Sequence, residues 1–191
     1  MKIQRFTLVL LAAAVLFSGS VLAQNAPQKE EFTAFAIGTG MARGSVSSIV
    51  QIAINKWSTE AEQQSMIDTL KAKGEMALLD VLQKMPVVGT IRLPNTLGYD
   101  LHYAWQVPDE NGGRRIYIAT DRPLRFREVT LETRSMQYPF TLIEIHLNSD
   151  NKGEGKMSVA TKISMAKDGK TIELENYGPL PVLLEDVRKV K

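Results

Sequence analysis

The chain has 191 residues, no cysteine, and 23 basic side chains against 21 acidic ones. Without cysteine there are no disulfides, thiolate nucleophiles, zinc–thiolate sites or iron–sulfur clusters, so stability rests on packing and hydrogen bonds. Near-balanced charge lacks the basic excess that gives nucleic-acid binders their non-specific affinity, and that class is set aside.

The first element is an address. Lys2 and Arg5 make the start basic, Leu8 to Phe17 is an unbroken apolar run, and Ser18 to Ala23 is a small-residue segment ending Val21-Leu22-Ala23. Those three parts in that order predict a signal peptide over residues 1–23, cleaved after Ala23. The apolar run is too short for a membrane anchor, which needs about 20 residues. The expectation is a secreted or periplasmic protein with no transmembrane segment after cleavage. Removing Lys2 and Arg5 leaves 21 basic and 21 acidic residues in balance. None of the seven asparagines has Ser or Thr two positions on; with the absent cysteines, this inclines the reading towards a bacterial envelope.

Residues 24–31 read as a flexible polar leader, and residues 32–191 as a single globular β-rich domain. Phe32 to Ile37 and Ser45 to Trp57 alternate with period two around the glycine-rich stretch Gly38–Gly44, a hairpin signal. Thr59 followed by Glu62 fits a capping box opening a helix that runs to Ala72 or Lys73. Gly74 interrupts it, and a second short helix ends at Pro86. From there the pattern is β: Val87–Leu93, Gly98–Val107, Arg114–Asp121, a weaker Leu124–Met136, Tyr138–Asn148, Met157–Ala166 and Thr171–Asn176. Asn151–Gly155 reads as a turn, and Val182–Val190 as a last edge strand or tail. Short connections demand antiparallel pairing. The fold class is therefore α+β and β-rich: an antiparallel meander of about eight or nine strands, as curved sheet, barrel or sandwich, with an inserted pair of short helices.

Four groups of residues bear on chemistry. The glycines of Gly38–Gly44 lack both the strand–turn–helix context of a dinucleotide fingerprint and the Gly-Lys-Ser/Thr of a P-loop, so no cofactor is expected. Asp100 and His102 share one strand face, and Glu144 and His146 share another. Side by side, these four would suit a divalent metal or acid–base catalysis, although both faces lie opposite the apolar stripes and read as solvated. Arg114, Arg115, Arg122, Arg125 and Arg127 could grip an anionic ligand, or serve as a charged surface that protects a strand edge. Trp57, Trp105 and the tyrosines read as core or barrel lining.

No catalytic motif argues for an enzyme, and the weight falls on an exported non-enzymatic binding or interaction domain of the cell envelope. Its partner would be a small ligand, lipid-like or anionic, or an envelope protein, with no nucleic acid. A lipid carrier would have apolar inward positions enclosing a void. The rival readings are an envelope hydrolase or metal-dependent enzyme using the His/carboxylate group, and a structural envelope component whose arginines make its anionic contact.

Overall fold

Period-two alternation places one face of each strand inward, and the strands here curl around that face. The computed structural model describes residues 29–38, 46–94, 96–109, 111–124, 137–168, 171–176 and 181–190. The expected signal peptide, most of the leader, the first glycine turn and the Leu124–Met136 strand beyond its first residue lie outside these residues.

The strands are β1 (Glu30–Gly38), β2 (Val46–Ile54), β3 (Gly89–Arg92), β4 (Tyr99–Leu101), β5 (Tyr103–Pro108), β6 (Arg114–Thr120), β7 (Phe140–Leu147), β8 (Lys152–Met165), β9 (Ile172–Asn176) and β10 (Val182–Lys189). Helices α1 (Glu60–Lys73) and α2 (Glu75–Lys84) follow β2. All pairings are antiparallel. The order is β4-β3-β2-β1-β10-β8-β7-β6-β5, with β9 added to the far half of β8.

The two ends of that order meet at one residue. β4 and β5 are a single run interrupted at His102; β4 pairs with β3, and β5 with β6. Val88 N–H donates to Leu101 O at 2.8 Å and His102 N–H to Ala119 O at 3.2 Å, so the sheet nearly closes into a barrel. Near-closure covers most of the strand edges that would otherwise invite aggregation, and among the described residues β9 is paired on one side only. Ser58 fills part of the seam: its N–H donates to Ala104 O, and its hydroxyl accepts from Ala104 N–H.

The lumen is packed rather than hollow. Phe32, Ile52, Ile54, Ile91, Leu101, Ile116, Ile118, Ile145 and Met157 all point inward and are buried. Leu124 closes one mouth, its N–H bonded to Thr141 Oγ1 and Val159 O. At the other mouth Arg114 and Glu30 pair. The apolar inward positions hold side chains instead of a ligand-sized void.

The helices form where the pattern predicts. Thr59 Oγ1 accepts from Glu62 N–H, and Glu62 returns the bond to Thr59 N–H, closing the capping box. Their buried residues, Leu70, Leu78 and Leu82, do not reach the lumen. They build a second core on the outside of the barrel with Tyr103, Ala119, Phe140 and Ile163. Glu75 Oε1 accepts Ile163 N–H at 2.9 Å, tying α2 to β8.

Three expectations are corrected. Val182–Val190 is no edge or tail: β10 sits between β1 and β8, with Val182, Leu184 and Val187 buried. Asp186 at φ 50° takes up a bulge between Leu184 and Val187, which hid the alternation. Asn151–Gly155 is mostly strand, because Gly153 and Gly155 lie where β8 crosses so close to β7 that a Cβ would strike the carbonyls of His146 and Glu144. Finally, the strand begins at Glu30, so the last two residues of the expected leader belong to the sheet.

Candidate functional site: an apolar trough on the outer face

The four candidate metal-site residues do not converge. Ala119, which receives His102 N–H, pairs with Leu142, and His146 lies four residues further along β7. Two strand spacings across and four residues along separate the histidines by about 16 Å, against metal–ligand bonds of about 2 Å. Among the described residues no three His, Asp or Glu side chains group to hold an ion.

His102 is instead a fastener. It is 8% exposed, so its face is not the solvated one expected. Its Nδ1 lies 3.0 Å from Met85 O at the end of α2, and its Nε2 lies 3.7 Å from Asp121 Oδ1. The break at this residue turns Leu101 into the lumen and Tyr103, Trp105 and Val107 outward, although strict alternation over Gly98–Val107 would put all four on one face. Asp100 stays on the surface, and its charge helps to raise the Arg122 pKa. His146 and Glu144 form a solvated pair at 2.7 Å on the outer face of β7.

The arginines also scatter. Arg114 turns inward, bonded to Glu30, Gln106 and Asn151. Arg122 pairs with Asp121 at 3.1 Å, and that carboxylate pushes its pKa up. Arg115 is exposed on the opposite side of β6 from Arg114. Arg125 and Arg127 lie outside the described residues. No joint anion cradle forms from the three that are described.

What the residues do assemble is an apolar groove. Its floor is the outer face of β5 to β8: Trp105 and Val107, Tyr117 and Ala119, Phe140 and Leu142. Its wall is α1 and α2, through Met66, Ile67, Leu70, Leu78 and Leu82, with Ile172 of β9 opposite. The enclosed volume is about 270 Å³. Val107, Tyr117 and Ile172 remain more than a third exposed, which leaves the groove open to a ligand. Contiguous exposed apolar surface of this kind marks binding sites. Burial below α1 pushes the Tyr103 hydroxyl up to about 12, partly opposed by its hydrogen bond with Gln63.

A second groove, of about 330 Å³, shares Tyr103, Tyr117, Ala119 and Leu142 with the first. It continues across β7 and β8 to Lys156, Ser158, Leu174 and Asn176. The two form one trough, mostly apolar along both halves, with Lys156, Ser158 and Asn176 among the residues that line the far one.

The sequence reading missed this site by assigning Trp105 and the tyrosines to core or barrel lining. A signal was present: β6 carries Ile116 and Ile118 on one face with Tyr117 and Ala119 on the other, and a strand apolar on both faces is covered on both. No protein-family model, curated protein or solved structure matches this chain.

Proposed function

We propose that this chain is an exported, non-enzymatic binding domain of the bacterial cell envelope that holds a lipid-like ligand in the outer trough. The observation that carries this reading is the apolar groove between the helical pair and β5 to β8, left open with Val107 and Tyr117 at its rim. Small-molecule sites are concave, mostly apolar, and furnished with a few placed polar groups, as this trough is. The packed lumen directs a ligand to the outer face. Export rests on the three-part leader of residues 1–23.

The hydrolase or metal-enzyme alternative loses its support with the separation of His102 from His146. The structural-component alternative loses most of its support with the pairing of Arg114 and Arg122.

The test is titration with a neutral apolar fluorophore, N-phenyl-1-naphthylamine. Its emission should rise on binding, and Tyr117→Asp, a surface change at the shared floor of both grooves, should weaken binding about tenfold or more. Absence of binding, or binding indifferent to Tyr117→Asp, would overturn the reading.

A further inference from the structure

The helical pair leaves the barrel and returns to it at one place. Asn55 N–H and Lys56 N–H, just past β2, both donate to Val88 O, just ahead of β3, at 2.8 and 3.1 Å. Ser58 is bonded to Ala104 of β5, and Met85 O lies 3.0 Å from His102 Nδ1, so both roots of the insertion sit on the barrel seam. Between them α1 spans 14 residues, a rod of about 21 Å. That length carries the chain from β5 over β6 and β7 to β8, three strand spacings or about 14 Å. Gly74, at φ 80° with nothing within 4 Å of an added Cβ, turns it, and α2 returns to the seam.

At the far end one side chain fastens the pair. Among the described residues the β7–β8 ladder stops at Phe140 with Thr161, so β8 runs on past β7 and the Ile163 amide finds no acceptor in that strand. Glu75 Oε1 supplies one at 2.9 Å, from 88 residues earlier in the chain. Although Glu75 stands in the first turn of α2, its bond goes to the sheet. The rest of the attachment is slight. Of α1 only Leu70 is buried, and of α2 only Leu78 and Leu82, while Gln63 adds a hydrogen bond to Tyr103. These leucines belong to the outer core, which shares no residue with the core in the lumen. The groove of about 270 Å³ lies between them and the sheet. Lifting the pair therefore leaves the lumen packed, and elements with few buried apolar contacts are the ones that open first.

We propose that α1 and α2 are a strap that lifts off the outer trough as one unit, hinged at the seam and latched by Glu75 on the Ile163 amide, and that an apolar ligand enters beneath it. Entry rests on the binding reading above; the opening itself does not. The two helices pack on each other and so move together. When the strap is down, the latch joins a charged acceptor to an amide that no strand serves among the described residues; when it is up, water solvates both. Removing the carboxylate strands the amide only in the closed form, which shifts the balance towards the open one. Openings of this kind take microseconds to seconds, slow enough to set the rate of ligand entry.

Native-state hydrogen exchange and stopped-flow binding of N-phenyl-1-naphthylamine test this on the whole protein at neutral pH. Amides of α1 and α2 should exchange through one shared opening, ahead of those in β6 and β7. Glu75→Ala should speed the helix amides about tenfold and leave the strands unchanged. It should also raise the association and dissociation rate constants of the fluorophore together, about tenfold each, with little change in Kd. A side chain that merely touched the ligand would alter dissociation alone. Glu75→Gln keeps an acceptor oxygen without the charge, so it should restore most of the parent's behaviour; failure to do so would assign the effect to the α2 macrodipole and sink the latch. Far-UV circular dichroism checks that both variants fold. If the fluorophore binds and Tyr117→Asp weakens it, yet Glu75→Ala moves neither the rates nor the exchange, the strap falls and the apolar-groove reading stands. Helix and strand amides that exchange together would also overturn the strap. If the fluorophore does not bind, but the helices still open first and open faster in Glu75→Ala, the binding reading falls and the opening stands.

Discussion

Arg114 on β6 and Glu30 at the start of β1, 84 residues apart in the chain, meet across one mouth of the barrel with Nη2 2.6 Å from Oε2. Both side chains are largely buried, at 18% and 7% exposure. The guanidinium also bonds Gln106 and Asn151 and stands 5.7 Å from the Phe32 ring centroid, while Lys189 lies 3.6 Å from the same carboxylate. A residue read as a ligand-binding candidate is thus the plug of the barrel.

Arg114→Met should therefore destabilise the domain by about 3 kcal/mol, or about 6–12 °C in Tm, because it strands a buried carboxylate with only Lys189 near it. Thermal unfolding followed by circular dichroism reads this directly. A fall of less than about 2 °C would mean that water hydrates Glu30 as well as Arg114 does.

The Tyr103 hydroxyl gives a pH dependence with a definite sign. Burial raises its pKa from 10 to about 12, so the folded state holds the proton more tightly than the unfolded state does. That stability is complete below pH 10 and declines as pH rises from 10 towards 12. Tyr103→Phe has no proton to lose, so urea unfolding of the parent chain should weaken relative to the variant above pH 10 and not below it. Parallel curves throughout would show the phenol to be solvated.

At the start of α1 the sign is opposite. The Thr59 backbone N–H holds the Glu62 carboxyl below its usual value of 4.5. Its contribution is present above pH 4.5 and lost as pH falls through the lowered value. Hydrogen exchange of the α1 amides should accelerate over that acid range. Thr59→Ala should cost about 1 kcal/mol at neutral pH and keep most of the acid dependence, since alanine retains the backbone N–H that holds the carboxylate, whereas Glu62→Gln should remove it.

Gly153 is a close-approach position. A methyl group there would meet His146 O, and the obstacle is backbone rather than a side chain that can swing away. Gly153→Ala should cost about 3 kcal/mol in denaturant unfolding, while an alanine at exposed Gly112 should cost less because nothing lies within 4 Å of its added carbon despite its φ of 76°. Equal losses at the two sites would point to backbone entropy instead of the collision.

The leader has its own assay. Protein recovered from the producing cell's envelope should begin at Gln24, as read by intact mass, and Ala23→Arg should leave the uncut form. An N-terminus still at Met1 in the wild-type chain would overturn the export reading.

Much of this architecture is legible in the sequence because period-two alternation and turn chemistry are local. The capping box at Thr59 and the strand pair around Asp109–Gly113 depend on near neighbours, and they form where the residues indicate. The failures share a different cause. His102 breaks one strand into two and reverses which side chains face inward, an effect visible only once β3 and β6 both compete for the same run. Asp186 does the same within β10. The outer groove was hidden because an apolar stripe declares that it is covered without saying by what, and the helices that cover Tyr103 lie some thirty positions earlier in the chain. The histidines looked convergent for the converse reason: residue type is local, but the strand between β5 and β7 is not.

The placement of β10 governs how the molecule can be made. β1 is the first strand, yet one of its two partners is the last, and Val190 N–H still donates to Glu31 O at 2.7 Å. The ladder joins positions roughly 150 apart, the kind of distant pairing that slows folding. A growing chain can build the β1–β2 hairpin and the β5–β6–β7 meander early, but the ring stays open until its final segment arrives. Closure of the ring before β10 is available is therefore barred by topology alone.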